Sequence, residues 1–189
     1  MRLISGPCQH ESFEQSMEIA TTVGDICKKL GVEYIFKASF DKANRSSAGG
    51  KRGVGILDTL TDFRKMKEAI PGLKILTDVH TTEQVELIAD EKCVDVLQIP
   101  AFLCRQTDLL VKACQTDMIV NIKKGQFLSP EEMPHAIEKV RQSESQIVIS
   151  TERGTSFGYN NLVVDFRSLP IMSKFGPVFF DVTHSTQRP

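Results

Sequence analysis

The sequence predicts a parallel α/β fold, and three observations carry that prediction. Short β-rich runs alternate with helix-patterned segments along all 189 residues. Several of those runs are apolar almost throughout, as strands covered on both faces of a parallel sheet are. Polar and charged residues recur at the C-terminal end of nearly every run, where parallel (β/α)8 barrels build their sites.

The elements follow in order. The first strand is expected at residues 3–7. A helix comes next, opened by Ser12 with Gln15 three residues on and closed by Gly31. A second strand at 33–39 leads to a helix from about Gly55 to Ile70, which Pro71 and Gly72 stop. After a third strand at 74–79, Thr81 and Gln84 repeat the capping pattern. Strands at 94–100 and 118–123 follow. Ser129, Pro130 and Glu132 then supply an N-cap, an N1 proline and an N3 glutamate. The last two strands are expected at 146–150 and 178–182.

A doubly wound sheet normally opens with a Gly-rich phosphate turn after its first strand. Gly6-Pro7-Cys8 is no such turn, which favours a TIM-type barrel. A closed barrel needs eight strands and usually about 250 residues. The prediction is therefore one domain over residues 1–189, an incomplete (β/α)8 barrel of about seven βα units without its eighth strand.

Composition excludes some functions. A formal net charge of -1 gives no electrostatic case for nucleic acid or an anionic membrane as partner. No apolar run approaches the roughly 18–20 residues of a membrane span. The first residues show no secretory apolar region, so a cytoplasmic location is expected. Cys8, Cys27, Cys93, Cys104 and Cys114 make an odd count with no CxxC pair, which suits reduced thiols.

The strand ends carry the chemistry. Residues 37–47 set Lys37, Lys42 and Arg45 among Ser39, Asn44, Ser46 and Ser47, directly after the apolar run Tyr34-Ile35-Phe36. Cations, an amide and hydroxyls gathered in that way suit phosphate and carboxylate groups. Cys8 follows the first strand. Asp78 and His80 end the third, Gln98 lies in the fourth, and Arg105 in the loop beyond. Asn121, Lys123 and Lys124 end the fifth strand, Glu152 and Arg153 the sixth, Asp181 and His184 the seventh. Like charges brought together on one face call for an anionic ligand to offset their repulsion. Bland alternatives stand beside each: Lys123-Lys124 as a charged terminus with one lysine exposed, Glu152 and Arg153 as a simple pair, Cys8 as a small buried hydrophobe. A thiolate at Cys8 and an imidazole at His184 suit a borderline divalent ion such as Zn²⁺ or Fe²⁺.

Across the whole chain the sequence resembles the 3-deoxy-D-manno-octulosonate 8-phosphate synthase family. The resemblance rests on GPC at 6–8, FKASFDKANRSS at 36–47, LTDVH at 76–80 and DVLQIPAFLCRQTDLL at 95–110. It continues with KKGQF at 123–127, TERGTSFGYNNLVVDFRSLPIM at 151–172 and FDVTHS at 180–185. It implies a (β/α)8 barrel, usually a homotetramer. The activity implied is the transfer that condenses phosphoenolpyruvate with arabinose 5-phosphate for lipopolysaccharide biosynthesis. It further implies that Lys37, Lys42, Gln98, Lys123 and Arg153 hold phosphoenolpyruvate. Asn44, Arg45 and Ser46 would hold the sugar phosphate, with Arg105 reaching in from a neighbouring subunit and Asp78 and His80 lining the sugar. Lys37, Lys42, Asp78, Lys123 and His184 are the implied catalytic set.

Cys8 and Lys124-Gly125-Gln126 point to the metal-dependent branch, with Cys8 and His184 as ligands of Zn, Fe, Mn or a similar divalent metal. The resemblance also implies a glutamate and an aspartate ligand from beyond the seventh strand, and neither maps onto this sequence. The loop at 48–53 lacks the aromatic that family members commonly carry. A truncated, catalytically inactive phosphoanion-binding chain is one alternative expectation. A related synthase using another aldose phosphate is the other.

Overall fold

The computed structural model describes residues 1–43, 52–141 and 147–187. Its elements alternate as expected. β1 (Arg2–Gln9), α1 (Phe13–Leu30), β2 (Glu33–Ser39), α2 (Ile56–Ala69) and β3 (Lys74–Asp78) come first, then α3 (Thr82–Glu91) and β4 (Val96–Ile99). After these come α4 (Thr107–Cys114), β5 (Ile119–Lys123), α5 (Met133–Val140) and β6 (Val148–Glu152). A hairpin of β7 (Thr155–Ser156) and β8 (Leu162–Val163), then α6 (Ser168–Met172) and β9 (Val178–Phe180), complete the series. Seven strands form one sheet in the order β1-β2-β3-β4-β5-β6-β9. Parallel strands in chain order, with helices in the crossovers, are the pattern of an incomplete (β/α)8 barrel.

Local signals account for the boundaries. Ser12 caps α1 by accepting the Gln15 N–H at 3.2 Å, and Gly31 ends it in the left-handed conformation, φ 65°. The Gln84 side chain accepts from the His80 N–H at 2.7 Å, while Thr81 caps the Gln84 N–H in return. Ser129 and Glu132 form a full capping box ahead of α5.

The chain divides into two compact units, residues 1–78 with 86–96 and residues 79–85 with 97–189. In the first, Ile35, Phe36, Ile75 and Leu76 on β2 and β3 are buried with Leu60, Phe63 and Met66 of α2. Each such side chain is worth roughly 1.5–3 kcal/mol of hydrophobic stabilisation. Asp95 ties this layer together: its carboxylate takes the Lys67 ammonium at 2.9 Å and the Ile75 N–H at 2.8 Å. Gly6 allows β1 to approach β2, since a Cβ there would sit 2.0 Å from the Lys37 carbonyl oxygen. In the second unit the core comes from Val120 and Ile122 of β5, Val148 and Ile149 of β6, and Met133, Ile137 and Val140 of α5 and its approach.

Three expectations change. Cys8 belongs to β1 instead of following it, because the strand runs on through an irregularity between Ser5 and Cys8, where Cys8 takes φ 67°. The sixth strand is shifted to Val148–Glu152, so Glu152 is its last residue. The β7–β8 hairpin was not expected; each of its strands has two residues, too few to show a period.

Candidate functional site

In the first unit the candidate residues meet at the C-terminal ends of β1, β2 and β3. Side chains of a strand alternate faces, so Lys37 and Ser39 share the face opposite buried Phe36 and Ala38. Ser39 Oγ donates to Asp78 Oδ2 at 2.6 Å and accepts from Lys37 Nζ at 3.1 Å and Lys42 Nζ at 2.8 Å. Lys42 also donates to the Cys8 carbonyl at 2.8 Å and approaches Cys8 Sγ at 3.2 Å. Lys37 lies 3.6 Å from Asp78 Oδ1.

Two ammonium groups thus face one carboxylate. Burial pushes the Lys42 pKa below its ordinary value and the neighbouring Lys37 charge adds to the effect, while Asp78 and Cys8 oppose it. An incoming anion would offset both by Coulomb attraction to the ammonium groups. The left-handed backbone at Cys8 is uncommon for a non-glycine residue. Bonds from both lysines to its carbonyl hold it there.

The second unit repeats the arrangement at the ends of β5, β6 and β9. Lys123 pairs with Thr151 in the register, so the two share a face. Thr151 Oγ1 donates to Asn121 Oδ1 at 2.7 Å, and Asn121 Nδ2 reaches Gln98 Oε1 at 3.5 Å. This chain of bonds sets the Gln98 amide. Lys123 pairs with Asp181, whose Oδ2 also meets His184 Nδ1 at 2.7 Å. Asp181 Oδ1 caps the following turn by accepting the N–H groups of Thr183 and His184 at 3.1 and 2.9 Å. Burial works against the Asp181 carboxylate, but the His184 bond and the Lys123 charge outweigh it and hold the carboxyl well below the usual range. Arg153 is buried and donates to the His184 carbonyl at 2.9 Å. Here too two cations, Lys123 and Arg153, gather about Asp181, with the Glu152 charge also acting on Arg153.

Two of the bland alternatives fail here. Neither Lys123 nor Lys124 is exposed, at 8% and 0%. Glu152 does not pair with the Arg153 guanidinium in the described contacts: its Oε1 accepts the backbone N–H of Arg153 at 3.0 Å and of Gly154 at 2.6 Å, and lies 3.7 Å from Lys124 Nζ.

Of the remaining candidates, His80 is half-buried and its backbone N–H belongs to the cap of α3, while Arg105 is exposed. Asn44, Arg45 and Ser46 lie outside the described residues. Sequence reasoning left Ser39, Asp181 and Lys124 without assigned roles. The spacing of three between Asp181 and His184 was a usable sign, since an aspartate can cap the turn that follows it.

As metal donors, Cys8 and His184 belong to different units, and among the described residues no group of three or more His, Cys, Asp or Glu gathers as a metal site. Each donor fits the role by its own surroundings. A carboxylate on the imidazole Nδ1 is the usual support of a ligating histidine, and the Cys8 sulfur lies at a strand end, 3.2 Å from the Lys42 ammonium. Among the described residues no helix is long and apolar enough to cross a membrane.

Comparison with known proteins adds two findings. The model of the DAHP synthetase I family matches residues 1–189. The chain is 54% identical over 187 residues to a 2-dehydro-3-deoxyphosphooctonate aldolase of Koribacter versatilis, covering 99% of this chain and 66% of that protein. It is 53% identical over 190 residues to the protein of the same description from Chelativorans sp., covering 100% and 68%. A third, from Caulobacter vibrioides, is 51% identical over 190 residues, covering 100% and 65%. The chain thus spans about two thirds of the length of these curated relatives.

Proposed function

The chain belongs to the DAHP synthetase I family, and from that premise we propose that it condenses phosphoenolpyruvate with arabinose 5-phosphate. The products are 3-deoxy-D-manno-octulosonate 8-phosphate, a lipopolysaccharide precursor, and inorganic phosphate. The observation that carries the reading is the gathering of positive charge at the strand ends of each unit, half-buried in the first and buried in the second. Lys37 and Lys42 stand against Asp78, and Lys123 and Arg153 stand against Asp181. Both substrates carry phosphate and one adds a carboxylate, and cations gathered in this way suit such groups.

In the reaction, C3 of the enol bonds to the aldehyde carbon and the aldehyde oxygen takes up a proton. Water oxygen bonds to C2 and becomes its carbonyl oxygen, one water proton going to the aldehyde oxygen and the other to the phosphate, which departs with the electrons of the C2–O bond. Positive character passes through C2 while negative charge gathers on the leaving phosphate. Lys123 and Arg153 are fixed before substrate arrives, through Asp181 and the His184 carbonyl, so their charges need little reorganisation as the phosphate departs. Gln98, oriented through Asn121, offers an amide to the same anion. Lys37 and Lys42 offer a second pair of donors locked through Ser39. Asn44, Arg45 and Ser46 are assigned to the sugar phosphate by resemblance, with Asp78, His80 and Arg105.

The same resemblance assigns Cys8 and His184 to a divalent metal. When bound, such an ion would act as a Lewis acid toward a substrate oxygen. The proposal extends to a homo-oligomer in the cytoplasm.

The test is phosphate release from phosphoenolpyruvate by this chain, with and without arabinose 5-phosphate, in Mn²⁺ and in chelator. Sugar-dependent release quenched by chelator is expected, together with loss of bound metal in Cys8→Ala. Binding of phosphoenolpyruvate without release would reduce the chain to a phosphoanion-binding protein. Equal metal content in the folded Cys8→Ala variant would remove Cys8 from the ligand set.

A further inference from the structure

One fully buried cation has no part in the reaction just described. Lys124 is 0% exposed, next in sequence to Lys123. Strand alternation turns it to the opposite face of β5, the face it shares with Glu152 at the end of β6. Its ammonium, with three N–H donors, lies within hydrogen-bond distance of the carbonyl oxygens of Gly125, Leu128 and Gly154 at 3.3, 3.1 and 3.2 Å, and of Thr155 Oγ1 at 3.0 Å. Glu152 Oε1 stands 3.7 Å away.

The origin of these oxygens is informative. Gly125 and Leu128 belong to the segment that leaves β5 after Lys123; Gly154 and Thr155 follow Arg153 in the segment that leaves β6 after Glu152. A single ammonium therefore joins the segments that leave β5 and β6, beside Lys123 and Arg153. Glu152 belongs to the same junction. The same Oε1 that faces Lys124 holds the N–H groups of Arg153 and Gly154, at the turn where Gly154 takes φ 93°. Ser156 N–H to Gln126 O, at 2.9 Å, is a second tie between the two exits.

An apolar side chain would fill the same space without the desolvation cost of a buried charge. It would not donate to oxygens of two segments at once.

We propose that Lys124 is a positioning residue, which sets the directions of Lys123 and Arg153 by clamping the β5 and β6 exits to each other. It touches no substrate, and its effect on turnover passes through its two neighbours. The proposal rests on the condensation reading only for what those neighbours bind.

The experiment compares the wild-type chain with the double variant Lys124→Met/Glu152→Gln, because Lys124→Met alone would leave a buried carboxylate without its cation. Hydrogen exchange and steady-state kinetics are both measured. Loss of the clamp is expected to speed exchange of the Leu128, Gly154 and Ser156 amides by about tenfold or more, with the β2 amides unchanged. The KM for phosphoenolpyruvate should rise about tenfold while kcat falls much less, the mark of lost substrate placement in a folded enzyme.

Wild-type exchange at those three amides in the variant would overturn the clamp. Faster exchange with an unchanged KM would overturn the positioning role. If the double variant does not fold, Thr155→Val removes one acceptor and keeps both charges. It should speed Ser156 exchange by about threefold, and no change there would equally overturn the clamp. A wild-type chain that releases no phosphate overturns the condensation reading instead, and the exchange comparison then decides the clamp by itself.

Discussion

Replacing Glu152 by glutamine isolates the charge of the buried Lys124–Glu152 pair while keeping nearly the same shape. The glutamine Oε1 still accepts the N–H groups of Arg153 and Gly154, so the turn after β6 keeps its bonds. What is lost is the negative charge 3.7 Å from the Lys124 ammonium, in a place where both side chains are at most 2% exposed. Breaking a buried pair from one side costs about 3–5 kcal/mol. The 3.7 Å separation, longer than an ordinary hydrogen bond, puts this case near the lower end, about 3 kcal/mol. For a protein of this size that corresponds to a melting temperature lower by about 6–12 °C.

The pH dependence gives a sharper check. Burial already lowers the Lys124 pKa, and the Glu152 charge is the main influence opposing it. Removing that charge lowers it further. A lysine whose folded pKa lies below its unfolded value, about 10.4, destabilises the fold most when pH is below the folded pKa. Stability returns as pH rises through that pKa toward the unfolded one. The gap between Glu152→Gln and wild type should therefore narrow from neutral pH toward pH 10, at most by about 1.4 kcal/mol per unit. Urea unfolding followed by circular dichroism at about pH 7 and pH 9.5 measures both quantities. A loss under about 0.5 kcal/mol at neutral pH, or an equal loss at both pH values, would refute the reasoning.

Two further outcomes are expected. Gly6→Ala drives a methyl group against the Lys37 backbone, with its Cβ 2.0 Å from the carbonyl oxygen and 2.9 Å from the carbonyl carbon. It should cost about 3 kcal/mol or more by forcing β1 from β2, and a wild-type thermal midpoint would show that the approach is not tight. Lys123→Ala leaves Asp181 without its lysine partner and should abolish phosphate release from phosphoenolpyruvate; wild-type kinetics in that variant would remove Lys123 from the site.

Much of this was legible before any fold was considered. Alternating apolar runs and capping signals placed the parallel strands and most helix ends, because a cap or a period is written within a few neighbouring residues. Ser12, Gly31 and Ser129 act in the structure as their local patterns require. The polar strand ends and the motifs around them were enough to point to the family. Strand alternation even required that Lys123 and Lys124 face opposite ways.

Which of those lysines joins the anion-facing group was not written locally. It depends on β5 meeting β6 with Lys123 beside Thr151, and on Asp181 arriving 58 residues later to pair with Lys123. The left-handed turn at Cys8 likewise depends on lysines supplied from β2 and beyond it. Sequence by itself determined the elements and the chemistry available at their ends, since those follow from short-range sterics and hydrogen bonding. Tertiary structure alone decided the partners, because a charge is stabilised by whatever the folded register brings within a few ångströms of it.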